Sequence, residues 1–261
     1  MTILDKIIEH KAFEIRSSKK IISVEDLKES PLYDRICLNF AESIRSKNGV
    51  IAEFKRKSPS KGLINGEVSV ESVVKGYENA GVSAVSVLTD TSYFGGTFND
   101  LLRARAVLQI PILRKDFMID SYQLHEAKAL GADIILLIAA GLDQNQCAEL
   151  AQEAKSLGLN AFLEIHSEEE LNYVSSHIDV VGINNRNLKT FEVDIENSIR
   201  LSEQLPQELP KIAESGISDP EVLNHLKSMG FDGFLIGENF MKTVDPGATC
   251  KRFIEATSLQ K

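Results

Sequence analysis

The chain has 261 residues, enough for one large domain or two small ones, with 43% hydrophobic residues for a core and an ordinary 26% charged fraction. The net charge of -9, from 29 basic and 38 acidic residues, argues against a broad nucleic-acid footprint, though not against a small anionic substrate held by a few placed cations. Three widely spaced cysteines (Cys37, Cys147, Cys250) without a CxxC pair argue against a disulfide framework or zinc site.

Asp5, Lys6 and Glu9 stand where a signal peptide needs an apolar run, and the most apolar stretch, 134–142, is too short to span a bilayer. A cytoplasmic protein with no membrane or nucleic-acid partner is expected. Thr2 and Asp5 have capping-box spacing, and Ile3, Ile7, Ile8 and Phe13 then give an apolar stripe, so the chain opens with a helix. A second short helix is expected over 24–30, ended near Pro31, and a further regular or irregular helix over 32–46 carries Leu38, Phe40 and Ile44.

From Gly49 one pattern recurs: a short apolar run, a loop, an amphipathic helix and a glycine stop. The runs are 50–54, 84–88, 111–114, 134–139, 161–165, 180–183, 211–213 and 233–236. Their spacing of roughly 20–34 residues fits one βα unit each. Gly81, Gly131, Gly158 and Gly230 stand where C-cap glycines end helices ahead of strands. Asp120 with Gln123, and Ser167 with Glu170, repeat the capping-box spacing, and Asp219-Pro220 sets a capping Asp before a first-turn Pro.

Strands this apolar, each joined to the next by a helix, are buried on both faces and therefore parallel. The expected fold is α/β, a (β/α)8 TIM barrel over 47–261 with an N-terminal helical extension over 1–46, the whole of 1–261 forming one domain. A doubly wound open sheet competes, but no GxGxxG follows the first run.

Chemistry in such a barrel sits at the C-terminal strand ends, and strand side chains alternate faces. Ile51, Glu53 and Lys55 share a face, as do Leu113 and Lys115, Phe162 and Glu164, Gly182, Asn184 and Arg186, Ala213 and Ser215, and Leu235 and Gly237. Any one of these charges alone reads as a solvated rim group, and Glu53 and Lys55 could simply neutralise each other. Several at one level and in one phase converge on a single mouth, where buried charge is costly unless paired or used.

Glu214-Ser215-Gly216-Ile217 and Ile236-Gly237-Glu238-Asn239 offer glycine turns whose backbone N–H groups can meet a phosphate, or are two ordinary βα turns. The basic segment 56–62 is a lid over an anion or a solvated loop. Tyr93-Phe94-Gly95-Gly96 is an aromatic wall or a packed turn. His10, His125, His166, His177 and His225 show neither HxH nor HxxxH spacing, so no metal site is expected. His166 reads as structural or solvent-facing.

Taken together these residues form a recognisable series. Ile51-Ala52-Glu53-Phe54-Lys55-Arg56-Lys57-Ser58-Pro59-Ser60-Lys61-Gly62 resembles the E-x-K-x-x-S-P-S signature of the indole-3-glycerol-phosphate synthase family. Ser86-Val87-Leu88-Thr89-Asp90 with Tyr93-Phe94-Gly95-Gly96, Pro111-Ile112-Leu113-Arg114-Lys115-Asp116-Phe117 and Phe162-Leu163-Glu164-Ile165-His166 follow in family order, as do Gly182-Ile183-Asn184-Asn185-Arg186-Asn187-Leu188, Ala213-Glu214-Ser215-Gly216-Ile217 and Gly233-Phe234-Leu235-Ile236-Gly237-Glu238. The similarity runs over nearly the whole chain. It fits poorly from Tyr33 to Phe40, and Lys57 adds a charge where a small residue is common.

The resemblance implies ring closure of 1-(2-carboxyphenylamino)-1-deoxyribulose 5-phosphate, with loss of carbon dioxide and water and with no cofactor. It implies Lys115 as general acid, Glu164 and Glu53 as an acid/base pair, and Lys55 on the departing carboxylate. Asn184 and Arg186 would position the substrate and the carboxylates. Ser58, Ser215, Gly216, Gly237 and Glu238 would contact the phosphate, and Phe94, Phe117 and Leu235 would line the ring pocket. Three cations (Lys55, Lys115, Arg186) against two anions (Glu53, Glu164) suit a substrate bearing a phosphate and a carboxylate. A monomer, or at most a weak homo-oligomer, is expected. Two alternatives stand beside this: another phosphate-binding barrel such as phosphoribosylanthranilate isomerase, which uses a Cys base at the first strand end, and a non-catalytic barrel acting as a binding module.

Overall fold

The structure is a computed structural model and describes residues 2–187 and 192–258. Leu188, the last residue of one motif above, lies outside them. Eight parallel strands, Val50–Phe54, Ala84–Leu88, Ile112–Lys115, Ile134–Ile138, Asn160–Ile165, Val180–Asn184, Lys211–Glu214 and Gly233–Ile236, close into a barrel. The eighth strand pairs back onto the first, with Ile51 opposite Leu235. This is the expected (β/α)8 architecture.

Closure follows from two-sided burial. Ile51, Ala84, Leu113, Ile134, Leu136, Phe162, Ile212 and Leu235 point inward and form one cluster. Alternate residues such as Ala52, Val85, Ile135 and Leu163 point outward into a larger cluster with the surrounding helices. The short helix Phe40–Ser46 places Phe40 and Ile44 beneath the inward cluster, with the Phe40 and Phe162 rings 6.0 Å apart. The strand-start end of the barrel is thereby stoppered, and the opposite mouth carries the polar groups.

The first helix, Ile3–Ile21, starts with the expected Thr2–Asp5 capping box. Its buried line is Ile7, Lys11 and Ile15, whereas Phe13, assigned above to the apolar stripe, is 61% exposed. Lys11 is the reason for the different phase. Its ammonium lies 3.1 Å from Asp90 and 3.0 Å from Asp116, both buried at strand ends, and 2.6 Å from Glu14. A charged residue thus occupies an interior position because two barrel carboxylates meet it there.

Several boundaries move. The second helix is Val24–Lys28, and only Phe40–Ser46 of the stretch 32–46 is helical. Residues 35–39 instead run without helix, Leu38 N–H and Phe40 N–H donating to the Asp133 and Asn160 side chains. The basic segment after the first strand is an antiparallel ribbon pairing Lys57 with Leu63. Ser167 caps no regular α-helix: residues Glu168–Tyr173 form a 3-10 turn without a side-chain cap, because the Glu170 carboxylate accepts the His166 backbone N–H instead. The Asp120–Gln123 pair also works differently, the Gln123 Oε1 accepting from Ile119 and Asp120 ahead of a helix that begins at Tyr122. The Asp219-Pro220 start is as expected, and Gly131 closes its helix in the left-handed conformation that glycine adopts without strain.

Candidate active site

A cavity of about 430 Å³ opens at the C-terminal strand ends. Every side chain or glycine expected to act on substrate lines it: Glu53, Lys55 and Ser58 from the first strand and its ribbon, Phe94 after the second, Lys115 and Phe117 after the third, and Glu164 from the fifth. Asn184 and Arg186 come from the sixth, Ser215 and Gly216 from the seventh, and Leu235, Gly237 and Glu238 from the eighth. Phe94 and Phe117 stand with ring centroids 6.0 Å apart and form one apolar wall.

The charged groups form two linked sets. Lys55 Nζ lies 2.7 Å from Glu53 Oε1, and the Ser86 hydroxyl donates to Glu53 Oε2 at 3.4 Å. Across the mouth, Lys115 Nζ donates to Glu164 Oε2 at 2.9 Å, and the Asn184 amide donates to Glu164 Oε1 at 2.9 Å. Asn184 is itself held by the Arg186 backbone N–H, 3.0 Å from its Oδ1. Gly237 has a steric reason to be glycine, since a Cβ there would come within 2.6 Å of Glu53 Oε1.

The seventh strand corrects the expected phase. Ile212 and Glu214 face inward, and Ala213 belongs to the outer cluster. Glu214 is therefore a third buried carboxylate at the mouth, with Oε2 3.5 Å from Lys115 Nζ. The signal was the strand's larger apolar residue: Ile212, not Ala213, fills the interior. Gly182 opposite has no room for a Cβ, which would sit 2.3 Å from Glu214 Oε1. Ser215 still reaches the cavity because the chain turns there. It is the one non-glycine residue with positive φ among the described residues, at 67°, followed by Gly216 at 75°. Such backbone is strained for a side-chain-bearing residue and clusters at functional sites.

Electrostatics sorts the carboxylates. Burial works to raise Glu164 and Glu214 alike, but for Glu164 the Lys115 ammonium, then His166 and Asn184, outweigh it and hold the group well below the usual range. Burial and then the Glu164 charge push Glu214 up to about 8. Glu164 thus carries the charge and Glu214 the proton at neutral pH. Lys115 is held charged: burial opposes its ammonium, and Glu164, Glu214 and Glu53 overcome it. With Glu214 neutral, the extra carboxylate adds no negative charge to the mouth.

His166, read from sequence as structural or solvent-facing, touches the site directly, its Nε2 lying 3.2 Å from Glu164 Oε1. Ile3, Leu4 and Ile7 of the first helix also line the cavity, which no motif marked. In the ribbon after the first strand, Arg56 is committed to Asp100 at 2.6 and 2.8 Å, and Lys57 to the Ser92 carbonyl at 2.8 Å. Lys61 reaches across to Glu238 at 3.7 Å.

A family model described as indole-3-glycerol phosphate synthase matches residues 4–253. The chain is 52% identical to an indole-3-glycerol phosphate synthase of Bacteroides thetaiotaomicron, covering 97% of this chain and 98% of that one. It is 43% identical to the same-named protein of Salinibacter ruber over 97% of this chain and 95% of that one. In fold it resembles the tryptophan synthase alpha chain of Legionella pneumophila, with a TM-score of 0.63 at 14% identity, covering 85% of this chain and 98% of that one.

Proposed function

The chain belongs to the indole-3-glycerol phosphate synthase family, and from that premise we propose which of its side chains perform the ring closure, decarboxylation and dehydration of 1-(2-carboxyphenylamino)-1-deoxyribulose 5-phosphate. Membership leaves no place for the isomerase alternative or for a non-catalytic barrel. The observation that carries the assignment is one ammonium, Lys115, held charged within reach of Glu164 and Glu214 at the edge of an apolar wall.

The aromatic ring lies against Phe94, Phe117 and Leu235. Ser58, the Ser215-Gly216 turn and the Gly237-Glu238 turn take the phosphate, the glycines through backbone N–H groups. Lys55 takes the substrate carboxylate, exchanging part of its contact with Glu53. As the ring carbon attacks the ketone, Lys115 gives its proton to the developing alkoxide, which is the transition-state charge most in need of a donor. Loss of carbon dioxide restores aromaticity and needs no electron sink beyond the ring. Dehydration then needs a base for the proton on the carbon beside the ring nitrogen and an acid for the hydroxyl. Ionised Glu164 suits the first task, with Glu53 sharing the proton transfers. Glu214, neutral beside Lys115, suits the second. Asn184 and Arg186 hold Glu164 and the substrate in register.

The test is turnover of the deoxyribulose phosphate by the purified chain, followed by indole fluorescence. The chain has no Trp, so product emission stands clear of the protein's own. Turnover that survives Lys115→Ala unchanged removes the general-acid assignment. A monomer suffices, because every group invoked comes from one chain, and light scattering of the active fraction checks it. The N-terminal helices belong to the same unit, tied in by Lys11. A reducing, cytoplasmic setting fits three cysteines that are all free thiols. No helix among the described residues is long and apolar enough to cross a membrane.

A further inference from the structure

Glu164 has a neighbour that the steps above leave unused. His166 lies with Nε2 3.2 Å from Glu164 Oε1 and Nδ1 3.5 Å from Glu170 Oε2. Its backbone is clamped on both sides: Glu170 accepts the His166 N–H at 2.6 Å, and Asn197 donates to its carbonyl at 3.4 Å. Glu164 faces the substrate cavity, whereas His166 and Glu170 border a second cavity that adjoins the first at Leu4, Asn184 and Arg186 and is lined by the exposed Glu168 and Glu169 and by Asp194 and Arg200. The imidazole therefore stands between the buried carboxylate and solvent, with a carboxylate on either side. Neither contact is an aligned hydrogen bond, so a small ring rotation selects which carboxylate its proton faces.

We propose that His166, backed by Glu170, is a positioning residue for Glu164 and the inlet through which the site takes up a proton from solvent. The need for an inlet comes from the stoichiometry and rests on the functional reading above. The ketone oxygen receives one proton on ring closure and a second before it departs as water. The carbon beside the ring nitrogen returns one of these on dehydration. The carboxylate leaves as neutral carbon dioxide, its bonding pair going to the ring. One proton per turnover must therefore enter from outside, while substrate fills the front of the cavity. After dehydration Glu164 holds the proton from the carbon and returns it to Lys115; His166 then passes the incoming proton to the emptied Glu164, Lys115 relays it to Glu214 at 3.5 Å, and Glu170 and the second cavity reload the imidazole.

The surroundings keep the inlet charged. Burial works against the imidazolium, but contact with Glu164 and then Glu170 raises it to about 10. Lys115, Glu214, Glu53 and the Asn184 amide face Glu164 from the neighbouring strands. Arg186, Asp194 and Arg200 line the second cavity.

The experiment compares kcat and KM of the wild-type chain, His166→Ala and Glu170→Gln by indole fluorescence, across a series of imidazole concentrations. His166→Ala lowers kcat by at least about tenfold, below the full effect of a group acting directly on substrate, with KM little changed. Added imidazole restores kcat in proportion to its concentration and leaves the wild type unaffected. Glu170→Gln, remote from substrate, shows a smaller loss that is also relieved by buffer. An unchanged kcat in His166→Ala, or a loss that imidazole does not relieve, overturns the inlet. If His166→Ala does not fold, Glu170→Gln decides, and an unchanged or buffer-insensitive kcat overturns it equally. A wild-type chain without turnover would instead strike at the functional reading itself.

Discussion

Replacing Lys115 by methionine keeps the length of the side chain and removes its charge. In the wild type the ammonium touches Glu164 at 2.9 Å and Glu214 at 3.5 Å, and those carboxylates are 3% and 2% exposed. Without it, the nearest cation to a buried, ionised Glu164 is gone. Glu164 keeps His166 at 3.2 Å and the Asn184 amide at 2.9 Å, so the loss of stability stays below the about 3–5 kcal/mol typical of a buried charge left wholly unpaired. Loss of the proton donor lowers kcat by about 10²–10⁴-fold, or about 3–5 kcal/mol of barrier at about 1.4 kcal/mol per factor of ten. KM changes less, since the phosphate and apolar contacts lie elsewhere. The two effects separate with pH. Wild-type Glu164 sits below its unfolded value, so it stabilises the fold above that value and loses the contribution as pH falls. In the variant the carboxyl rises relative to the wild type, so less of that contribution is present at high pH and less is lost as pH falls. Thermal melts between about pH 5 and pH 9 therefore give a deficit that shrinks on acidification, spanning the ordinary carboxylate and histidine range. A variant with wild-type kcat, or a deficit independent of pH, refutes the assignment of Lys115 as donor and partner of Glu164.

Glu214→Gln gives the opposite trend. Its carboxyl, raised to about 8, stabilises the fold below its unfolded value and loses that contribution as pH rises toward 8. The variant therefore gains relative thermal stability between mildly acid and alkaline pH, and a flat difference would show Glu214 ionised throughout. Gly237→Ala folds, because the backbone there has negative φ, but displaces Glu53 from Lys55 and lowers kcat by roughly tenfold or more; an unimpaired kcat would show that the Glu53 position is not critical. Lys11→Met takes the ammonium from buried Asp90 and leaves Asp116 with Arg114 at 3.3 Å and the Thr89 hydroxyl, and lowers stability by about 3–5 kcal/mol, read from denaturant midpoints. An unchanged midpoint would show that the first helix is not anchored by this ion pair.

The barrel was legible because its signal is periodic: apolar runs in eight places, punctuated by Gly81, Gly131, Gly158 and Gly230 in the left-handed conformation. Charged strand ends were legible where alternation began from an unambiguous interior residue, as in Ile51, Glu53, Lys55. It failed at the seventh strand, where Ala213 and Ile212 were both plausible interior residues and the choice hid Glu214. Lys11 escaped because its partners, Asp90 and Asp116, are distant in sequence, and periodicity reports a helix face without saying what that face meets. His166 escaped for a related reason. Glu170 at capping-box spacing from Ser167 suggested a helix start, but the carboxylate serves the histidine instead.

The pairing of the eighth strand with the first also has a meaning for the nascent chain. Val50–Phe54 acquires its partner at Gly233–Ile236 only after roughly 180 further residues have been synthesised, an interval of about 10–40 s at ribosomal speeds of about 5–20 residues per second. Through that interval the first strand is an apolar edge open to other chains. Glu53 is the one ionisable side chain in it, and a charge placed mid-strand discourages off-target ribbon formation. By this reasoning the carboxylate assigned above to proton transfer also disfavours off-target pairing of the growing polypeptide.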